Sequence, residues 1–218
     1  MERVIVSYAD GSVNGRAVIR WAAQEAALRG LPLRDVHGSP PEVPDATRLV
    51  VAAVPGLDVP AFSAHPLVLL PERCTARRAA LTAPEVVLGL NARQPATEAV
   101  DFAFDTARLW GVRLRVVHAW HFPSCAAELP FGVPEADRAA WEDQEVQLLA
   151  DALRSWREKY PEVHVLEDVR LFTPADALVE RSMGAGLVVV GRRSESEPGT
   201  TARAVLRDAR CPVAVVPS

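Results

Sequence analysis

Three histidines, a few cysteines and a scatter of glycines are the residues in this sequence whose types and spacing could do chemistry. His118, His121 and Cys125 form an H-x2-H-x3-C cluster, but three donors without a fourth partner make a weak metal pattern. Cys211 precedes a proline and an apolar run, which favours a buried, inert thiol over an activated nucleophile. Asp10, Gly11 and Ser12 follow the first apolar run. They read equally as a tight turn with Ser12 capping a helix, or as polar groups at the mouth of a ligand site. Gly199 and Thr200 start a helix well, which is the favoured reading. His37 and His118 end matching apolar runs, and a strand-capping structural role is expected for both. No nucleophile, general base and oxyanion donor are assembled anywhere in the sequence, so turnover is not expected.

The elements that position these residues are duplicated. Shifting the chain on itself by 81 residues aligns Val4 to His37 with Glu85 to His118 without a gap, pairing Gly30 with Gly111 and LPLRDVH with VRLRVVH. Such a repeat implies two copies of one structural unit. Each copy reads as strand, loop, helix and strand. Val18, Ile19, Ala22 and Ala26 share a helical face that Ala99, Val100, Ala103 and Ala107 repeat. The two glycines serve as left-handed helix C-caps.

The second copy continues with a long helix over Pro134 to Tyr160, whose apolar stripe is expected to be Val146, Leu149, Ala150, Leu153 and Trp156. A strand to Leu171 follows. Thr173, Pro174 and Asp176 then form an N-terminal helix signal, and LVVVG reads as a strand covered on both faces. The first copy is shorter. LVVAAV and HPLVLLP echo LVVVG and CPVAVVP, so the missing piece is internal: the long helix, one strand and the next helix. A first unit with one poorly covered face is predicted.

Composition sets the class. The 218 residues carry 49% hydrophobic and 24% charged side chains with a net charge of −4, as in an ordinary folded protein. No basic run favours nucleic acid or an anionic membrane surface. No apolar stretch approaches the ~20 residues of a membrane span, and no signal-peptide core is visible at the start. Three widely spaced cysteines suit a reducing cytoplasm.

The segments RWAAQEAALRGLPLRDVH, FAFDTARLWGVRLRVVHAW, WREKYPEV, LVVVG and LRDARCPVAVV, in this order and spacing, resemble the universal stress protein family. The resemblance implies an α/β fold of two flavodoxin-like units with parallel sheets, strand order 3-2-1-4-5, the first abbreviated: residues 1–72, a linker over 73–84, and a full unit over 85–218. It places any ligand at the switch point beyond the strand ends. The nucleotide-binding branch of the family uses an Asp after strand one, main chain after the strand-two His, and a G-x-x-G-x9-G-[ST] loop after strand four. Here Asn91 stands in place of the Asp, Ala119 follows the His, and Gly191, Arg192, Gly199 and Thr200 bracket a loop shortened by five residues with Ser194 for its second glycine. Glu195 and Glu197 put carboxylates beside the expected phosphates. The first unit keeps Asp10 and Gly38 but has no glycine-rich loop. The resemblance thus implies a non-catalytic stress-response regulator with eroded sites, holding ATP or AMP weakly, and acting through protein partners or a homodimer; the last apolar strands of the two units, Leu67 to Leu70 and Val213 to Val216, are expected to pair with each other within the chain or across that homodimer. The alternative is a genuine ATP-binding switch with slow hydrolysis.

Overall fold

A computed structural model describes residues 3–9, 13–37, 46–53, 65–71, 74, 85–123, 126, 132–192 and 199–217. In chain order these form β1 (Val4–Ala9), α1 (Val13–Arg29), β2 (Leu33–His37), β3 (Thr47–Ala53), β4 (Leu67–Leu70), β5 (Glu85–Gly89), α2 (Thr97–Trp110), β6 (Arg113–Trp120), α3 (Glu135–Lys159), β7 (Val165–Leu171), α4 (Pro174–Ser182), β8 (Leu187–Arg192), α5 (Thr200–Asp208) and β9 (Val213–Pro217). The local signals on described residues hold, while the Asp10–Ser12 turn and the Ser12 cap lie outside them. Gly30 and Gly111 sit at φ 62° and 65° after α1 and α2, where a Cβ would strain the turn. Thr173 caps α4 by accepting the Asp176 N–H at 3.2 Å, while its hydroxyl donates to the Asp176 carboxylate at 2.6 Å.

All nine strands join one sheet, in the order β2-β1-β3-β4-β9-β8-β5-β6-β7. Pairing is parallel throughout except at the β4–β9 junction, which is antiparallel. The second half therefore has the expected 3-2-1-4-5 order. The first half has the same order without its outermost strand. The duplication extends to register: Ile5 lies beside Leu33 and Leu49, as Val86 lies beside Leu114 and Leu187. Likewise Val50 meets Leu67 as Val188 meets Val213.

Helices α1, α2 and α3 cover one face of the sheet and α4 with α5 the other, each burying its own apolar cluster. The expectation of a bare face in the first unit is not met at the sheet itself: Val50, Ala52, Leu67 and Leu69 are all buried. Part of the reason is that they belong to one cluster with Leu206, Val213 and Val215 of the second half, so a neighbouring unit supplies the cover that the short one lacks. Tyr8 contributes too. It packs against this cluster at the position that Gly89 holds in the second unit, where α4 presses close.

The stripe of α3 also differs from expectation. Leu149 and Leu153 are fully buried, but Val146 is 42% exposed and Glu145 takes the inner position. The buried row is 145, 149 and 153, each four residues on, which is one helical face. No described helix is long and apolar enough to cross a membrane.

Candidate functional site

A crevice of about 560 Å³ opens at the carboxyl ends of β5, β6 and β8 and at the start of α5. It lies where the connections from β5 and β8 leave towards opposite faces, which is where open α/β sheets bind ligands. Its size falls in the ordinary range for small-molecule sites.

Six of the residues that the resemblance assigned to nucleotide binding line this crevice together, Asn91, Ala119, Gly191, Arg192, Gly199 and Thr200, and His118 and His121 join them. Asp10 and Gly38 lie outside the described residues, as do Arg193, Ser194, Glu195, Glu197 and Cys125. Gly199 is the N-cap of α5 and Thr200 its first residue, with no side chain capping the helix, so the helix-start role holds and its amides face a ligand-sized space. Asn91 is exposed, and its side-chain oxygen accepts the Arg93 backbone N–H at 3.1 Å. This Asx turn is closed further by the Gln94 N–H to the Asn91 carbonyl at 3.0 Å.

The strongest polar constellation of the crevice was not legible as a unit in the sequence. His118 is buried and places Nε2 at 2.9 Å from the Glu145 carboxylate. Its Nδ1 lies 3.1 Å from the Leu90 carbonyl and 3.4 Å from the Ala92 N–H. Glu145 in turn accepts a two-pronged bond from Arg93, at 2.7 and 2.5 Å. The Arg93 hydrogen bonds hold the Glu145 carboxyl below its usual range; burial opposes them, and His118 adds to the lowering. The same pair raises the Arg93 pKa. His118 lies within β6, not at its end as expected, and its hydrogen bonds tie the loop after β5 to α3 in the crevice wall. The signal that would have found Glu145 is its place on the buried row of α3, since a buried carboxylate needs partners.

Near the rim, Trp120, Phe122 and Trp141 pack in sequence, with centroids 5.5 and 5.8 Å apart. Among the described residues no cluster of three metal-ligating side chains is present.

Residues 84–217 match the sequence profile of the Universal stress protein family. The chain belongs to that family. A universal stress protein of Mycobacterium tuberculosis is 35% identical over 135 residues, covering 60% of this chain and 44% of the relative; this chain thus spans under half the length of that relative. Another universal stress protein from the same organism is 26% identical over 283 residues, covering 94% of this chain and 93% of its own. That alignment exceeds the 218 residues here, so it opens gaps in this chain. Among solved structures, a universal stress protein from Archaeoglobus fulgidus superposes with a TM-score of 0.60 at 12% identity, covering 98% of each chain. A putative universal stress protein from Pseudomonas aeruginosa gives 0.57 at 17%, covering 99% of this chain and 93% of that one. At such identities the likeness is one of fold.

Proposed function

We propose that this universal stress protein is a non-catalytic regulatory module of the cytoplasm, whose second-unit crevice senses a small ligand and holds adenine nucleotide only weakly. The observation that carries this reading is Asn91. It occupies the place of the family's acidic acceptor and spends its side-chain oxygen on the Arg93 backbone, so one charged contact to a nucleotide is missing from a crevice whose glycine loop is also shortened. The polar groups that a hydrolytic reaction would recruit are engaged with each other: His118 with Glu145 and the Leu90 carbonyl, Glu145 with Arg93. That engagement supports binding without turnover. Both edges of β9 are taken by β8 and β4 of the same chain, which favours other proteins, on other surfaces, over a second copy at that strand. Calorimetric titration with magnesium-ATP, AMP and adenosine tests the reading. Dissociation constants weaker than about 10 μM, near −7 kcal/mol, and no phosphate release over hours are expected; tight ATP binding with measurable release would overturn it.

A second reading, an ATP-binding switch with slow hydrolysis, draws on Gly191, Arg192, Gly199 and Thr200 lining the same crevice at a helix N-terminus, where anions are favoured. Nucleotide released by heat from freshly purified protein would select it.

A further inference from the structure

The loop after β5 carries a cation that is fixed before any ligand arrives. Arg93 lines the crevice with its side chain 58% exposed. Its two Nη atoms each donate one hydrogen to Glu145. A guanidinium has five N–H donors, so three remain. Glu145, with 10% of its side chain exposed, is itself held by His118. The Arg93 backbone is held from the other end by the Asx turn on Asn91. A guanidinium constrained at both ends loses little further freedom on binding, which is the condition for efficient recognition.

We propose that Arg93 is the anion-reading residue of the crevice, presented by Glu145 to a phosphate-type oxyanion, with His118 as the group that positions Glu145. The proposal rests on the crevice being a ligand site, as proposed above, but not on the ligand being an adenine nucleotide. The charge balance agrees. Among the described lining residues the ionised groups are Arg93, Arg192 and Glu145, a net charge of +1 before the α5 amides are added, and His118 and His121 are the further titratable groups of the lining. Arg93 stands on the loop after β5, whereas the family pattern puts phosphates on the loop after β8. An oxyanion read by Arg93 would therefore sit on a different wall from the eroded glycine loop, and would explain how a crevice with that loop shortened keeps a use. The site belongs to the second unit alone: Ser12 holds the equivalent position in the first, and the helix that carries Glu145 has no counterpart in that half of the sequence.

Two probes separate this proposal from the nucleotide reading. The first is inorganic phosphate, compared with chloride at equal ionic strength by thermal unfolding. Phosphate should raise the melting temperature of the native protein, fail to do so in Arg93→Gln, and act partially in Arg93→Lys, which keeps the charge but not the fork. Glu145→Gln, which loosens the guanidinium without removing it, should weaken the response. The second is the ratio of AMP to adenosine affinity, which should fall about tenfold in Arg93→Gln, the scale of a charge-assisted bond, with adenosine itself unchanged. If neither nucleoside nor nucleotide binds but phosphate stabilises the native protein through Arg93, the adenine reading fails and this one stands. An absent phosphate response in the native protein, an equal response in Arg93→Gln, or an equal loss of AMP and adenosine would overturn it.

Discussion

Val68 and Ala214 face each other at the centre of the β4–β9 junction, and each is the other's counterpart in the duplicated sequence. On either side Leu67 meets Val215 and Leu69 meets Val213, the self-complementary pairing that a two-fold axis produces. The helices obey the same axis. Trp21 packs against Trp110 with centroids 6.3 Å apart, and at the mirrored position the Arg29 guanidinium lies 5.5 Å from the Phe102 ring. Trp110 donates to the Glu25 carboxylate at 2.8 Å; its counterpart contact is Arg29 donating to Thr106 at 2.9 Å. The backbone keeps the symmetry while the side chains have diverged on each side of it.

Val215 is 1% exposed, between Leu67 on one side and Val190 on the other. Val215→Lys buries an ammonium without a partner, at a cost of several kcal/mol. Loss of soluble yield, or a urea midpoint far below the native one, is expected; an unchanged midpoint would mean that the junction contributes little to folding.

At Gly89 an added Cβ would meet a Leu178 methyl at 2.7 Å. Gly89→Ala should therefore destabilise by about 1–3 kcal/mol, the range for overpacking a filled core. Leu178→Ala alone should also destabilise, by cavity formation. The double variant should cost less than the two added together, which a denaturation cycle reads directly. Additive costs would mean that the two positions do not compete for space.

In the first unit Ser7 donates to Asp35 at 2.8 Å, where the second unit buries Leu88 and Val116. The missing helix and strand explain the change: without that layer Asp35 is exposed, the Ser7 hydroxyl is fully buried and satisfied by its bond to Asp35, and a charge on an edge strand also discourages pairing with other chains. Replacing both, with the volume-conserving Ser7→Ala and Asp35→Val, should leave the unfolding midpoint near native but lower the concentration at which light scattering detects aggregates. Unchanged solubility would count against this role.

Glu145 has its folded pKa depressed below the ordinary glutamate value of about 4.3. A depressed carboxylate stabilises the fold above its unfolded pKa, and that contribution disappears as pH falls through the lowered folded value. The native protein should be more stable than Glu145→Gln by a constant margin from about pH 7 to pH 5, and the margin should close below about pH 4. A gap independent of pH down to acid unfolding would show that the Arg93 pairing is energetically silent.

What the sequence determined by itself was set by short-range chemistry. The shift of 81 residues gave two β-α-β units, the αL turns at Gly30 and Gly111 followed from glycine alone, and the capping signal at Thr173 needed only its neighbours. The strand order came from the family resemblance, and six crevice residues came with it. The tertiary structure decided what depends on contacts between distant segments. Nothing local in Glu145 states that it meets Arg93, 52 residues earlier, or that an acid rather than Val146 takes the inner face of α3, because the phase of a helix is fixed by the sheet beneath it. The same holds for Val68 and Ala214. Each strand shows that it is apolar and wants cover, but whether the cover is a second copy or the other half of the chain depends on whether both edges can meet in register, and only the assembled sheet brings them together.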